Sequence, residues 1–125
     1  MKFLCLCHYD QARFAACTPE DLATVGAICK PRDAALHASG HLVAVASLAD
    51  GTDYAVIHAA DGDAAPRVTR GSYATTPEPF GAFFILEADT LEQAIEVAAL
   101  HPGAHLARYF GGGIEVRPCE TYTPA

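Results

Sequence analysis

The sequence predicts one domain of the α+β class, built on a single sheet. The chain has 125 residues, 51% of them hydrophobic, which is enough for one core but too little for two. Apolar runs of strand length are interspersed with two patterns of helical period. Several of these runs are apolar at nearly every position, as in strands buried on both faces. We therefore expect a single domain over residues 1–125 whose sheet needs cover on both sides.

The first strand and the first helix are indicated near the start of the chain. Residues 2–7 are apolar nearly throughout, which predicts a buried strand. Thr18 then offers an N-cap side chain, Pro19 a residue that lacks an N–H, and Asp21 an acid in the first turn. Apolar residues follow these three at helical spacing. We predict that a helix begins here.

Pro31 falls inside this helical pattern. A proline removes one main-chain donor and crowds the carbonyl four residues earlier, yet the residues after it are good helix formers. We therefore expect a kinked or split helix that ends at Gly40, where a left-handed backbone costs little. A second apolar strand is predicted at residues 41–48.

Four strands and one helix are predicted for the rest of the chain. Asp-Gly turn signals at residues 50–51 and 61–62 flank a short strand candidate. Thr90 and Gln93 form a capping box at the start of a helix that the His-Pro-Gly sequence at residues 101–103 ends. The predicted strands lie at residues 54–58, 67–69, 82–87 and 114–117.

The order of these elements is that of a ferredoxin-like split βαβ sandwich. Both helices then lie on one face of an antiparallel sheet. In the first strand Phe3 and Cys5 alternate with Leu4 and Leu6, so the face without helices is apolar as well. Because no further segment remains to cover that face, we expect a second copy of the chain to do so. The sequence therefore predicts a homodimer.

Charge and cysteine content argue against several classes of partner. The net charge is −7, from 15 acidic and 8 basic residues, and the basic residues form no cluster, which argues against nucleic acid and anionic membranes. The longest apolar stretches are too short to span a bilayer. Five cysteines, odd in number and without a CxxC pair, are typical of reduced thiols, so we expect a cytoplasmic location.

Two long stretches of the sequence match a pattern found in a known family. They read RVTRGSYATTPEPFGAFFILEADTLEQAIEVAALHP and GGIEVRP, and MKFLCLCHYD and AALHASGHLV fit the same pattern. Together they resemble the YCII-related family, specifically its DGPF-containing branch, over nearly the whole chain. The resemblance implies a dimeric α/β barrel of two ferredoxin-like halves.

The chain departs from this family at the signature itself. The family's Asp-Gly-Pro-Phe-Ala-Glu stretch corresponds to residues 70–75, where both acids are replaced. The resemblance implies that members of the wider family use a His/Asp pair for acid/base catalysis. No such pair stands at matching positions of this sequence. The resemblance therefore implies the fold more directly than an activity.

Three residues are candidates for catalysis. His8 closes the first strand and Asp10 follows it closely, so an imidazole and a carboxylate could share a cleft; the alternative is a strand-edge cap and a turn. His101 ends the second helix, where the helix dipole favours a protonated ring. The alternative is a functional role for His101, because it stands at a position where relatives often keep a polar residue before proline.

Four residues are candidates for substrate binding. Tyr9 adjoins the end of the first strand. Arg70 and Tyr73 lie on the signature loop, where a guanidinium and a phenol suit a small carboxylate or enolate; alternatively Arg70 faces solvent or pairs with Glu78. Arg117 is the fourth, with an ion pair in the last strand as the alternative.

No metal and no cofactor is expected. The histidine pairs at 37/41 and 101/105 are four residues apart, but a helix breaker separates each pair. Two hypotheses of function follow. The first is a cofactor-independent enzyme for proton-transfer, lyase or hydrolase chemistry on a small molecule, with one pocket that holds His8, Asp10, Arg70, Tyr73 and His101. The second is a non-catalytic binding or regulatory homodimer that kept the fold and lost the acids.

Overall fold

The computed structural model describes residues 1–49 and 53–125, so the turn predicted at Asp50-Gly51 lies outside the described residues. No helix in this part of the chain is long and apolar enough to cross a bilayer. In order, the elements are β1 Lys2–His8, α1 Gln11–Ala15, α2 Pro19–Ala38, β2 Leu42–Ser47, β3 Ala55–His58, β4 Arg67–Arg70, β5 Phe80–Glu87, α3 Leu91–Ala98, a 3₁₀ turn Pro102–Ala104, α4 Ala107–Phe110 and β6 Gly113–Pro118.

Four of the strands form one antiparallel sheet in the order β2-β5-β1-β6. This order confirms the ferredoxin-like α+β fold that the element sequence predicted. Within residues 1–49 and 53–125, the strands β3 and β4 pair only with each other, as a hairpin inserted between β2 and β5. These described residues form an open sheet plus a hairpin and do not close into a barrel.

The core lies between one face of the sheet and the helices. Phe3, Cys5 and Cys7 of β1 and Phe84 and Leu86 of β5 are buried on this face. Against them pack Leu36 of α2 and the buried residues of α3, which are Ala94, Val97 and Ala98. The prediction that both helices cover the same face is confirmed.

The opposite face of the sheet, called here the open face, carries the alternate residues of the same strands. Leu4 and Leu6 of β1 lie beside Ile85 and Phe83 of β5, and all four side chains are only partly buried. The neighbouring residues of β6 on this face are charged, Arg117 and Glu115, with 3.7 Å between Nη1 and Oε2. The open face is thus apolar in its centre and charged at one edge.

Helix α2 is continuous from Pro19 to Ala38, so of the two expected forms, a kinked or a split helix, the split is wrong. A proline disturbs only the bond to the carbonyl four residues earlier, and Pro31 is exposed, where that carbonyl can be hydrated. The start of the helix is a full capping box. Thr18 Oγ1 accepts the N–H of Asp21 at 3.1 Å, and Asp21 Oδ2 accepts the N–H of Thr18 at 3.2 Å.

Helix α3 begins with half of the predicted capping box. Thr90 Oγ1 accepts the N–H of Gln93 at 3.1 Å. The Gln93 side chain, however, accepts the N–H of Asp89 at 2.8 Å rather than that of Thr90. The predicted start of the helix is confirmed, and the reciprocal bond is shifted by one residue.

A tight glycine turn precedes β6 and contacts the end of β1. Gly111 and Gly112 have φ of +61° and +71°, in the left-handed region. A Cβ on Gly112 would lie 1.8 Å from the carbonyl oxygen of His8. The N–H of Gly112 donates to Glu78 Oε2 at 2.6 Å. Only a residue without a side chain allows this approach of two backbones.

The substitution Gly112→Ala is expected to destabilise the fold strongly. A left-handed non-glycine residue costs roughly 1–3 kcal/mol, and the clash with His8 adds to that cost. Gly113→Ala is the matched control, because a Cβ there would meet no atom within 4 Å. Urea denaturation of both variants should give a large loss of unfolding free energy for the first and little change for the second. Equal midpoints would contradict the assigned geometry.

Candidate functional site

A cleft of about 430 Å³ opens between the carboxyl end of β1, the middle of α2 and the segment that follows α3. We call it the helix-side cleft. Most of its lining is apolar, which suits a small organic ligand. Its principal lining residues are Cys7, Tyr9, Phe14, Val25, Cys29, Lys30, Asp33, His101, Leu106 and Phe110.

One wall of the helix-side cleft is aromatic. Tyr9, Phe14 and Phe110 form a triangle with ring centroids 6.3, 6.3 and 5.4 Å apart. Tyr9 is held against the backbone of Gly81, where a Cβ would lie 2.4 Å from the ring. Val25 and Leu106 complete this wall as a small buried cluster. Such a surface favours a flat apolar group.

His101 is the polar group deepest in this cleft. Its ring stacks on Phe84 with 4.7 Å between centroids and 4° between planes. Its Nδ1 accepts the N–H of Gly103 at 2.9 Å, so Nδ1 carries no proton and the neutral ring holds its hydrogen on Nε2. Burial lowers the pKa of His101, and the nearby Asp33 carboxylate offsets only part of that effect. His101 is therefore a neutral donor.

The protonated His101 expected from the sequence is thus wrong. Helix α3 ends at Ala98, and His101 lies beyond it as the N-cap of the 3₁₀ turn Pro102–Ala104. The helix dipole acts mainly within the last turn. Desolvation therefore decides the charge of the ring.

The two thiols in the helix-side cleft, Cys7 and Cys29, have raised pKa values. Cys7 Sγ lies 3.9 Å from each ring nitrogen of His101. Burial raises the pKa of Cys7 to about 11 and also raises that of Cys29. A thiol in this state is protonated at neutral pH, and the thiolate is the reactive form.

Two charged residues of α2, Lys30 and Asp33, complete the cleft. The sequence analysis missed both. Lys30 follows Gly26 by four residues and Asp33 follows Lys30 by three, which places them on one helical face, and this periodicity was the available signal. His37, one turn later, lies with Nδ1 3.7 Å from Asp33 Oδ1.

The residues proposed from the sequence are only partly brought together. His8, Tyr9 and His101 all line the helix-side cleft. Asp10 does not, because its Oδ1 accepts the N–H groups of residues 12 and 13 at 3.0 and 3.1 Å as the N-cap of α1. Arg117 is exposed on β6 beside Glu115.

The imidazole of His8 belongs to the opposite side of the sheet from that of His101. Side chains alternate along β1, and His8 follows the buried Cys7. Its Nδ1 donates to the carbonyl oxygen of Glu78 at 3.0 Å, and its ring lies edge-on to Phe80 with centroids 6.1 Å apart. The His8 and His101 side chains therefore project on opposite sides of the sheet, although both residues line the helix-side cleft.

A second cavity of about 760 Å³ lies beside His8, between the sheet and the β3–β4 hairpin. We call it the hairpin-side cavity. Tyr73 lines it, whereas Arg70 lines neither cavity. The single pocket expected from the sequence is therefore two. Within residues 1–49 and 53–125, no three His, Cys, Asp or Glu side chains converge as a metal site would require.

These features define a class of protein, namely a small ferredoxin-like α+β domain with a ligand-sized cleft between its helices and its sheet. Comparison with models of known families matches residues 1–119 to the YCII-related domain. The chain therefore belongs to the YCII-related family. No curated protein is similar enough to this chain to count as a match.

The lowered pKa of His101 predicts a specific dependence of stability on pH. In the unfolded chain the ring titrates near its usual value of 6.5, so as pH falls below that value the unfolded state takes up a proton that the folded state resists. The unfolding free energy should therefore decrease below about pH 6.5. An NMR titration should give His101 a midpoint below 6.5, and His101→Gln should remove its share of the stability loss. A midpoint at or above 6.5 would contradict the assignment.

Proposed function

We propose that this protein is a cofactor-independent enzyme that transfers a proton at a small carbonyl compound in the helix-side cleft. The observation behind the proposal is the neutral His101 with its hydrogen fixed on Nε2, in an apolar cleft that also contains a carboxylate and an ammonium group. A neutral imidazole with a lowered pKa is suited to polarise a carbonyl oxygen.

The roles divide among three side chains. The Asp33 carboxylate takes a proton from the carbon next to the carbonyl; the electron pair of that C–H bond forms the C=C bond of the enolate, and the π pair of the carbonyl moves to the oxygen. His101 Nε2–H donates a hydrogen bond to the enolate oxygen that forms. Lys30 places a positive charge at the same cleft. Return of the proton to carbon completes an isomerisation or an exchange.

The aromatic wall holds the substrate in this proposal. Tyr9 retains the substrate-binding role expected from the sequence, together with Phe14 and Phe110. His8 and Asp10 have no part in the proton transfer, because the first faces the other cavity and the second caps α1. The geometry therefore favours Asp33 over Asp10 as the carboxylate that works with a histidine.

A second function has one observation in its favour. The side chain of Asp33 is 55% exposed, and a hydrated carboxylate is a weaker base than a desolvated one. The alternative is a non-catalytic small-molecule-binding or regulatory protein that uses the same cleft. The two functions differ in whether a bound ligand exchanges a carbon-bound proton.

We also propose that two copies associate through the open face, as the sequence predicted. The support is the partly buried apolar centre formed by Leu4, Leu6, Phe83 and Ile85. Two such sheets packed face to face give the dimeric α/β barrel that the family resemblance implies. We also propose a cytoplasmic location, which rests on the odd number of cysteines without a CxxC pair. Membership of the DGPF-containing branch is a further proposal, which rests on the ending Ile114–Pro118.

The catalytic proposal is tested by deuterium exchange. Small ketones and lactones are incubated with the protein in D₂O, and NMR follows the loss of the proton next to the carbonyl. Asp33→Asn should slow exchange about 10²–10⁴-fold, because the general base is removed. His101→Phe keeps an aromatic ring but loses the Nε2 donor, and should slow exchange about 10²–10³-fold.

Asp89→Asn is the matched control for this experiment, since Asp89 is an exposed acid at the other end of the molecule, before α3. It should leave the exchange rate unchanged. Ligands that bind in the cleft, by calorimetry or thermal shift, without any exchange would favour the binding function. Exchange that survives Asp33→Asn would refute the assignment of the base.

The dimer is tested by light scattering at micromolar concentration. The wild type should give the mass of two chains. Leu6→Lys should give one chain, because a charge in the centre of the open face cannot be desolvated without a partner. Leu91→Lys is the control, since Leu91 lies at the start of α3 and is 40% exposed. A monomeric wild type would end the proposal.

A further inference from the structure

We infer that the hairpin-side cavity is a binding site for a small organic cation. The cavity lies on the other side of the sheet from His101 and has its own lining, drawn from the end of β1, the end of β2, the hairpin and the segment before β5. The inference does not depend on the function proposed for the helix-side cleft. It rests on charge, on exposed aromatic rings and on the orientation of one imidazole.

The charge of the cavity favours a cation. Asp53 lines it, and none of its described lining residues is a lysine or an arginine. Arg70 is close in sequence but is not among the residues that line the cavity. A carboxylate ligand would therefore meet a like charge and, among the described lining residues, no lysine or arginine.

Three aromatic rings surround the same space. Tyr54, Tyr73 and Phe80 line the cavity and are 41%, 83% and 47% exposed. Large rings left in water without cover are a common mark of a binding surface. The negative faces of aromatic rings attract ammonium groups, and clusters of such rings recognise organic cations.

His8 adds a hydrogen-bond acceptor. Its Nδ1–H is used by the carbonyl oxygen of Glu78 at 3.0 Å, so in the neutral ring the lone pair is on Nε2. The carboxylate of Glu78 is itself occupied by the N–H of Gly112. An ammonium ligand in this cavity therefore meets a carboxylate, an imidazole acceptor and aromatic faces, which are the partners that its N–H donors and its charge require.

The experiment compares three probes of one shape, namely benzylammonium, benzyl alcohol and benzoate. Calorimetry at pH 8 and low salt should show benzylammonium binding at least tenfold more tightly than benzyl alcohol, and benzoate more weakly than either. Asp53→Asn should abolish the preference for the charged probe, and Tyr73→Leu should weaken benzylammonium severalfold. Added salt should weaken the charged probe alone.

Two control variants keep the test specific. Asp61→Asn removes an exposed acid elsewhere on the hairpin connection and should leave binding unchanged, and Lys30→Met alters the helix-side cleft and should also have no effect. Equal affinity for benzylammonium and benzyl alcohol, no binding of any probe at millimolar concentration, or an Asp53→Asn variant with wild-type preference would each overturn the inference. A change of affinity in Lys30→Met, in either direction, would place the probe in the other cleft and overturn it too.

Discussion

The contact between the Gly111-Gly112 turn and the end of β1 holds in place the backbone around His8, a residue that lines both cavities. The turn approaches the carbonyl oxygen of His8 so closely that no side chain fits, and the N–H of Asp10 donates to the carbonyl of Phe110 at 3.0 Å. Glu78 joins the same contact twice, since its carboxylate accepts the N–H of Gly112 and its carbonyl orients the ring of His8. Backbone groups held in this way leave little freedom to the side chains that project from them. The positions of the aromatic wall on one side and of His8 on the other therefore depend on the same few hydrogen bonds.

The state of His101 shows how a cleft on this framework gains chemistry. A helix end stabilises a cation by a modest amount that declines beyond the last turn, whereas burial penalises the charged ring directly. The short 3₁₀ turn Pro102–Ala104 adds a third effect, because its first free N–H groups need an acceptor and His101 Nδ1 supplies it. The three effects together give a ring that is neutral, stacked and fixed in one tautomer.

The fold was predictable because it depends on short-range patterns that the sequence displays. Short, nearly continuous apolar runs predicted β1 and β5, the capping side chains Thr18 and Thr90 predicted the helix starts, and the element order predicted the sheet. The short helices α1 and α4 were not predicted, since α1 buries no residue and both depend on contacts between distant segments.

The separation of His8 from His101 was implicit in the sequence, because His8 shares the parity of Leu4 and Leu6 and not that of Cys7. Asp10 was a catalytic candidate because a carboxylate two residues after a histidine suggests chemistry, and its use by backbone N–H groups of α1 becomes visible only when that helix is known.

The proposed sites are divided between the two faces of the sheet. Along β1 the open face carries Lys2, Leu4, Leu6 and His8, so the proposed dimer surface and the hairpin-side cavity lie on one continuous row. The helix-side cleft lies under the other face, behind the buried row of Phe3, Cys5 and Cys7. A partner that covers Leu4 and Leu6 therefore approaches the hairpin-side cavity directly, while the sheet and its core screen the cleft that contains His101. The proposed dimer surface and the proposed cation site are thus neighbours in space, and the close-packed core separates both of them from the proposed site of proton transfer.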